Sequence, residues 1–322
     1  MTVRVSTETQ VVPEALQEVN WPSVTAVVPT VNRPRELMRA VEAILEQDYP
    51  GHVECIVVFD RTEPLPPPVA VGPNRSLRVV QNARTPGLAG TRNTGFLLAH
   101  GELLASCDDD DAWLPGKLLR QVELLRSRPD ASAVATGILI DSNGSEIARR
   151  TIPSELKFDD LLVDRHMEVH PSSFVVTRAK LIDSIGLVDE NLPGGYAEDY
   201  EWLLRAARTG PVVCVQQSLV RVYWNDTSYF VSRWETIERA LTYLLERVPE
   251  FTSQPAGLAR IEGQLAFAHA AMGHRREAVR LALRSLRRST RVRQSYAALA
   301  VAAGLVSADR VVAAARRYGR GI

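Results

Sequence analysis

The sequence holds only three cysteines, Cys55, Cys107 and Cys214, each inside a short apolar run and none at a metal-ligand spacing. That excludes a disulfide scaffold and a thiolate zinc site, and it leaves buried thiols of a reducing compartment. No apolar run approaches the ~18 residues a membrane span needs, and the amino terminus lacks a signal-peptide pattern. A cytoplasmic location is the expectation, with peripheral attachment at the membrane inner face left open. Neither sign of charge is in excess, since 38 Lys plus Arg balance 38 Asp plus Glu. A chain without net positive charge is not expected to bind nucleic acid. The loop 29–34 contains no glycine, so a Gly-rich phosphate cradle directly after the first apolar run is excluded as well.

What is present is the makeup of an ordinary globular protein, with 45% hydrophobic and 24% charged residues among 322. That is material for one large domain and a smaller one. The charge balance conceals an asymmetry. From Ser232 onward 16 Arg stand against 7 Asp plus Glu, so this segment carries about +9 and the remainder about −9. Solvated basic helix faces are the default reading of these arginines, and a membrane surface or an acidic protein partner is the alternative.

Residues 1–21 are polar and aperiodic and read as a tail. A buried strand at 24–28, a helix at 34–47 with Leu37, Val41, Ile44 and Leu45 on one stripe, and a strand at 53–60 make a βαβ unit. A third strand is expected at 77–80, a helix at 88–99, a strand at 103–107 and a helix at 115–126. Asn143-Gly144 marks a hairpin joining 132–140 to 146–151. Further strands are expected at 170–177, 212–215 and 219–223, with a helix from Glu198 to about Thr209. From about 232 helix follows helix, with a small-residue antiparallel pair at 265–273 and 275–288 and others at 292–303 and 307–318. The expected division is tail 1–21, α/β domain 22–231 and basic helical domain 232–322.

The strand at 103–107 ends in Asp108-Asp109-Asp110-Asp111. Ligands bind beyond the carboxyl ends of strands in open α/β sheets, and four adjacent carboxylates repel one another unless a cation relieves them. Mg²⁺ or Mn²⁺ suits carboxylate oxygen, with substrate phosphates completing the shell. A helix cap at Asp111 with favourable charges near the helix start is the alternative, and it explains one or two acids but not four.

The run Gly101-Glu102 through Asp108-x-Asp110-Asp111-x-Trp113-Leu114-Pro115-x-Lys117-Leu118 resembles the acidic signature of family 2 glycosyltransferases of the GT-A fold. The resemblance covers about 24–223. It implies an α/β fold with a Rossmann-like mixed sheet flanked by helices, here followed by an all-α region. It also implies an inverting transfer of sugar from a nucleotide-diphospho-sugar to the hydroxyl of a carbohydrate, lipid-linked or small-molecule acceptor. Asp110, with Asp108 or Asp109, would hold the Mn²⁺ or Mg²⁺. Pro29, Thr30, Asn32 and Arg33 match the family's nucleotide-contacting loop, with Val31 in place of the common aromatic. Asp60 matches the acid that contacts base or ribose, although Phe59 replaces the acid before it. Residues 87–95 resemble the family's Gly-x-x-x-Ala-Arg-Asn-x-Gly segment, making Arg92 a donor contact or else the ion-pair partner of a sheet-end acid such as Asp108. Glu198-Asp199 resembles the family's Glu-Asp pair, with Asp199 as catalytic base; a helix-capping pair is the alternative. Glu198, Tyr196 and His170 are acceptor-side candidates, and His170 is also a candidate metal ligand. Where many members carry Arg-x-His, this chain has Arg221-Val222-Tyr223. A third ligand would then be water, Asn225 or Asp226. A sugar nucleotidyltransferase and a non-catalytic docking protein of the same fold are the competing readings.

Overall fold

The computed structural model describes residues 20–142, 144–149, 153–224 and 233–317. The tail expected at 1–21 lies almost wholly outside them, as do Asn143, Asn225 and Asp226. The first seven-residue apolar run forms strand β1 (Val24–Thr30), buried throughout. Val24, Ala26 and Val28 face one apolar cluster and Val27 the other, because successive side chains of a strand point to opposite faces. Helix α1 (Pro34–Leu45) starts on a proline that suits a first helical turn, and buries Leu37, Val41, Ile44 and Leu45 as the stripe predicts. Strands β2 (Val53–Phe59) and β3 (Arg75–Gln81) follow in parallel register with β1 and β2 respectively. Helix α2 (Leu88–Leu98) returns the chain to β4 (Leu103–Ser106), parallel to β1 on its other side.

The chain continues through β5 (Asp111–Trp113), α3 (Lys117–Ser127), the hairpin β6 (Ala133–Ser142) and β7 (Ser145–Arg149), β8 (Glu155–Leu156), α4 (Phe158–Val163), β9 (Val175–Thr177), α5 (Arg178–Lys180), α6 (Glu198–Thr209) and β10 (Val212–Tyr223). The strands form one mixed sheet in the order β3-β2-β1-β4-β9-β6-β10-β5, with β7 on β6 and β8 on β10.

Three local expectations change. Residues 170–177 do not form one strand: Pro171 opens a 3₁₀ turn at Pro171–Ser173, and only β9 remains extended. The two strands expected at 212–223 are one, broken in register between Val215 and Ser218 and between Ser218 and Val220. Asp111 is not a helix cap. It lies in β5 opposite Val222, and the following helix begins at Lys117 behind Gly116, whose φ of 79° suits glycine.

Five helices complete the described chain: α7 (Trp234–Arg247), α8 (Pro255–Ala271), α9 (Arg275–Arg288), α10 (Arg293–Ala302) and α11 (Ala308–Arg317). Their core is continuous with one face of the sheet. Leu161, Leu162, Tyr200 and Leu203 share a cluster with Leu244, Phe251 and Phe267. A Cβ on Gly257 would lie 1.8 Å from the Leu162 carbonyl oxygen, so α8 runs against α4 at a distance only glycine permits. Arg260 Nη2 donates to the Tyr200 hydroxyl at 2.8 Å.

Candidate active site

The carboxyl ends of β1 and β4 lie side by side where strand order reverses, since β2 and β4 flank β1 on opposite sides. That reversal opens a crevice. The loop after β1 enters it through Asn32, held at a positive φ of 50°, and Thr30 donates to Asp109 Oδ2 at 2.7 Å. Pro29 and Thr30 are buried, whereas Asn32 and Arg33 are exposed at the mouth. Arg33 Nη1 reaches Asp110 Oδ2 at 2.6 Å and Asp109 Oδ1 at 3.2 Å. Burial pushes the Asp109 carboxyl up to about 6 against the pull of the Thr30 hydrogen bond. Burial and the neighbouring Asp108 raise Asp110 too.

Of the expected ligands Asp110, Asp108 and His170, the latter two converge with Asp111, the ligand atoms of Asp108, Asp111 and His170 all lying within 4.8 Å of one another. The register of β5 on β10 turns Asp111 inward, where it is buried and accepts a hydrogen bond from Ser172 Oγ at 2.5 Å. His170 Nδ1 is 3.3 Å from the same Asp111 oxygen. The Asp108 backbone N–H donates to Ser172 Oγ at 2.9 Å, so one serine fixes both acids. Burial, with Asp108 and Asp110 nearby, drives the Asp111 carboxyl well above its usual range. Burial lowers His170 and keeps its imidazole neutral. Two carboxylates and a neutral imidazole form a donor set that fits Mn²⁺ or Mg²⁺, and a cation there would relieve the repulsion that raises Asp111.

Arg92 lies buried behind this group. It forms ion pairs with both Asp108 and Glu198, the sheet-end pairing rather than an open contact. Its neighbour Asn93 clamps the loop after α5, donating to the Val188 carbonyl at 2.8 Å and to Glu190 Oε1 at 2.7 Å. Beneath it, a Cβ on Gly95 would sit 2.3 Å from Val27, so the glycine of this segment lets α2 press against β1. Asp60 is buried, with its two oxygens taken by Asn82 Nδ2 at 2.9 Å and the Gly87 N–H at 3.0 Å. These bonds hold the carboxylate just past the carboxyl end of β2.

Helix α6 starts after the loop holding Gly194 and Gly195, and Ala197 enters it at a φ of 65°, a conformation costing a non-glycine residue roughly 1 kcal/mol. Glu198 is buried, and burial lifts its carboxyl to about 7 against the opposing Arg92 charge. Asp199 keeps 17% of its side-chain surface, and Arg165 bonds both of its oxygens at 2.7 and 2.9 Å. Burial is the largest single influence and opposes its charge, but Arg165, with His170 and Arg92, outweighs burial and holds Asp199 below the ordinary carboxylate range. Tyr196 is half-buried beside this helix start. The Tyr223 ring lies 3.6 Å below the Arg39 guanidinium carbon, and Arg39 Nη2 donates to the Asp110 carbonyl at 3.0 Å.

Sequence reasoning missed Ser172, Arg165 and the inward turn of Asp111. Ser172 and Arg165 carry no motif, and Asp111 was visible as an acid but not as a strand residue. Lys117 belongs to the acidic signature and is fully buried, its Nζ 3.8 Å from the Trp113 ring centre and 2.8 Å from Gln121 Oε1. It packs under the acidic loop rather than facing the crevice.

The family model described as glycosyl transferase family 2 matches residues 25–186. A putative colanic acid biosynthesis glycosyl transferase, WcaA of Escherichia coli, is 33% identical over 102 residues, which are 31% of this chain and 36% of that protein. The chain thus spans about a third of that relative's length. Among solved structures, S. aureus TarS 1-349 in complex with UDP-GlcNAc superposes with a TM-score of 0.59 at 16% identity, over 88% of this chain and 91% of that one. Mannosyltransferase PcManGT from Pyrobaculum calidifontis, in complex with GDP-Man and Mn²⁺, gives 0.55 at 20% identity over 89% and 87%. At these identities the likeness establishes the fold: the mixed sheet with flanking helices and a helical carboxyl-terminal region.

Proposed function

Because the chain belongs to glycosyl transferase family 2, we propose that it is an inverting, metal-dependent glycosyltransferase using a nucleotide-diphospho-sugar in polysaccharide assembly. The observation that carries the reading is convergence at one crevice. Asp108, Asp111 and His170 meet at the end of β4, and Arg92 bridges Asp108 to Glu198, next to Asp199.

Asp60 receives the base or ribose, its carboxylate fixed by Asn82 and the Gly87 N–H. The diphosphate lies between Thr30–Arg33 and Asp108–Asp111, where Arg33 exchanges its carboxylate partners for phosphate oxygen. Asp108, Asp111 and His170 would hold Mn²⁺ or Mg²⁺, which when bound supplies Lewis-acid stabilisation of the charge on the leaving diphosphate. Asp199, on the acceptor side, keeps a partly exposed carboxylate that Arg165 holds ionised. It accepts the proton of the acceptor hydroxyl as that oxygen attacks the anomeric carbon from the face opposite the diphosphate, so the configuration inverts. The loop 192–197, with its two glycines, closes over the acceptor and limits hydrolysis of the donor. Glu198 and Tyr196 border the acceptor from the start of α6. A reducing, cytoplasmic setting suits the three free buried cysteines.

The experiment uses Asp199→Asn, a nearly isosteric change. UDP-GlcNAc and GDP-mannose, each with Mn²⁺, are screened by thermal shift, since a ligand bound only to the folded state raises its melting temperature. The donor that stabilises the wild type should stabilise Asp199→Asn equally, whereas turnover should drop by roughly 10²–10⁴-fold, the scale of general-base catalysis. A variant that transfers sugar at the wild-type rate would remove Asp199 from the mechanism.

A further inference from the structure

Helix α9 packs on α8 through Ala278, Leu281, Ala282 and Ser285, all buried. Its opposite side presents Arg276, Val279, Arg280, Leu283 and Arg287, at the i, i+3, i+4, i+7 spacing of one helix face. Val279 and Leu283 are 36% and 45% exposed although apolar. The charges around them are mostly uncompensated. Glu277 pairs with Arg280, and Glu262 takes Arg284 and Arg288 on the inner side. Arg275, Arg276, Arg287, Arg291 and Arg293 have no side-chain partner among the described residues.

We propose that the outer face of α9 docks on an anionic phospholipid bilayer. A basic helix face with apolar side chains at its centre is the pattern of a helix lying in the membrane interface, Val279 and Leu283 entering the headgroup boundary and the arginines meeting lipid phosphate. The outer side of a helix is convex and offers a peptide no groove, whereas a planar anionic surface complements a row of arginines along its length. No helix among the described residues is long and apolar enough to cross a membrane, so α9 supplies attachment without insertion. The helical region also touches the acceptor side of the crevice. Gly194, in the loop before Asp199, abuts Thr236 of α7, and Arg260 of α8 holds Tyr200. Docking through α9 therefore anchors the unit that borders Asp199. The docking rests on charge and exposure alone and stands apart from the transferase reading.

The test is co-sedimentation of the full chain with vesicles of phosphatidylcholine alone and of phosphatidylcholine with phosphatidylglycerol. The wild type should sediment with the anionic vesicles at low salt, lose binding as salt rises, and ignore the neutral ones. Arg276→Glu, Arg280→Glu and Arg287→Glu combined should lower partitioning by at least about 100-fold, at roughly fivefold or more per arginine near an anionic surface. Leu283→Asp alone should weaken it as well. Melting curves of the variants, and their stabilisation by nucleotide sugar with Mn²⁺, should match the wild type, because these side chains are exposed and outside the crevice. A wild type that stays in solution with anionic vesicles at low salt would overturn the proposal. So would a triple variant that sediments like the wild type, or an acidic protein captured by α9 in place of vesicles.

Discussion

Burial disfavours the charge on Asp199, and Arg165, bonding both carboxylate oxygens at 2.7 and 2.9 Å, restores it. A carboxyl held below its usual range is ionised across neutral pH, and its contribution to stability fades only as pH falls through that lowered value. Without Arg165, burial is opposed only by the neighbouring His170 and Arg92 and the carboxyl rises, so the base form is lost at a higher pH. Arg165→Ala should therefore move the acid limb of the kcat–pH profile upward, with the larger rate loss at acid pH. A limb that stays in place in the variant would show that another group sets it. Glu198, one residue earlier, is pushed the other way, to about 7, by deeper burial. Two adjacent carboxyls are thus set apart by their surroundings, which is how paired acids come to hold different roles. The residue types were legible from the sequence, but this difference was not, because it depends on Arg165 and Arg92 arriving from distant segments.

Elements repeat the pattern at a larger scale. The unit of β1, α1 and β2 was readable because each strand is a buried apolar run and α1 begins at Pro34 with a clear stripe. Residues 170–173 were not, since the apolar stretch that follows masks a turn set by Pro171 and by His170 accepting the Ser172 N–H. Asp111 was legible as an acid but not as an inward ligand, because its direction comes from pairing with Val222 on β10. A glycine can be tested at this scale. The space at Gly257 leaves its Cβ 1.8 Å from a backbone oxygen of Leu162, and backbone cannot step aside as a side-chain tip can. Gly257→Ala should destabilise the whole chain by about 1–3 kcal/mol, the cost of overpacking a close contact. Thermal denaturation reads this as a lowered melting temperature. An unchanged temperature would mean that α8 does not run tightly on α4.

For the molecule as a whole, the charge asymmetry is a spatial one. Acids gather where β1 and β4 end, and the unpaired arginines gather on the outer side of the carboxyl-terminal helices. The two regions share one apolar cluster, and the boundary expected at 232 lies outside the described residues. On the proposed reading the crevice binds a divalent ion together with a nucleoside diphosphate. Electron paramagnetic resonance of Mn²⁺ tests it most directly, because bound ion loses the sharp signal of the free ion. Adding the wild type with UDP or with GDP should remove the free-ion signal more fully than either diphosphate or protein alone. Asp111→Asn, which keeps the shape but offers a poorer ligand for a hard cation, should leave the signal close to that of diphosphate without protein. A wild type that takes up no Mn²⁺ with either diphosphate, or an Asp111→Asn variant that takes it up equally well, would contradict the account.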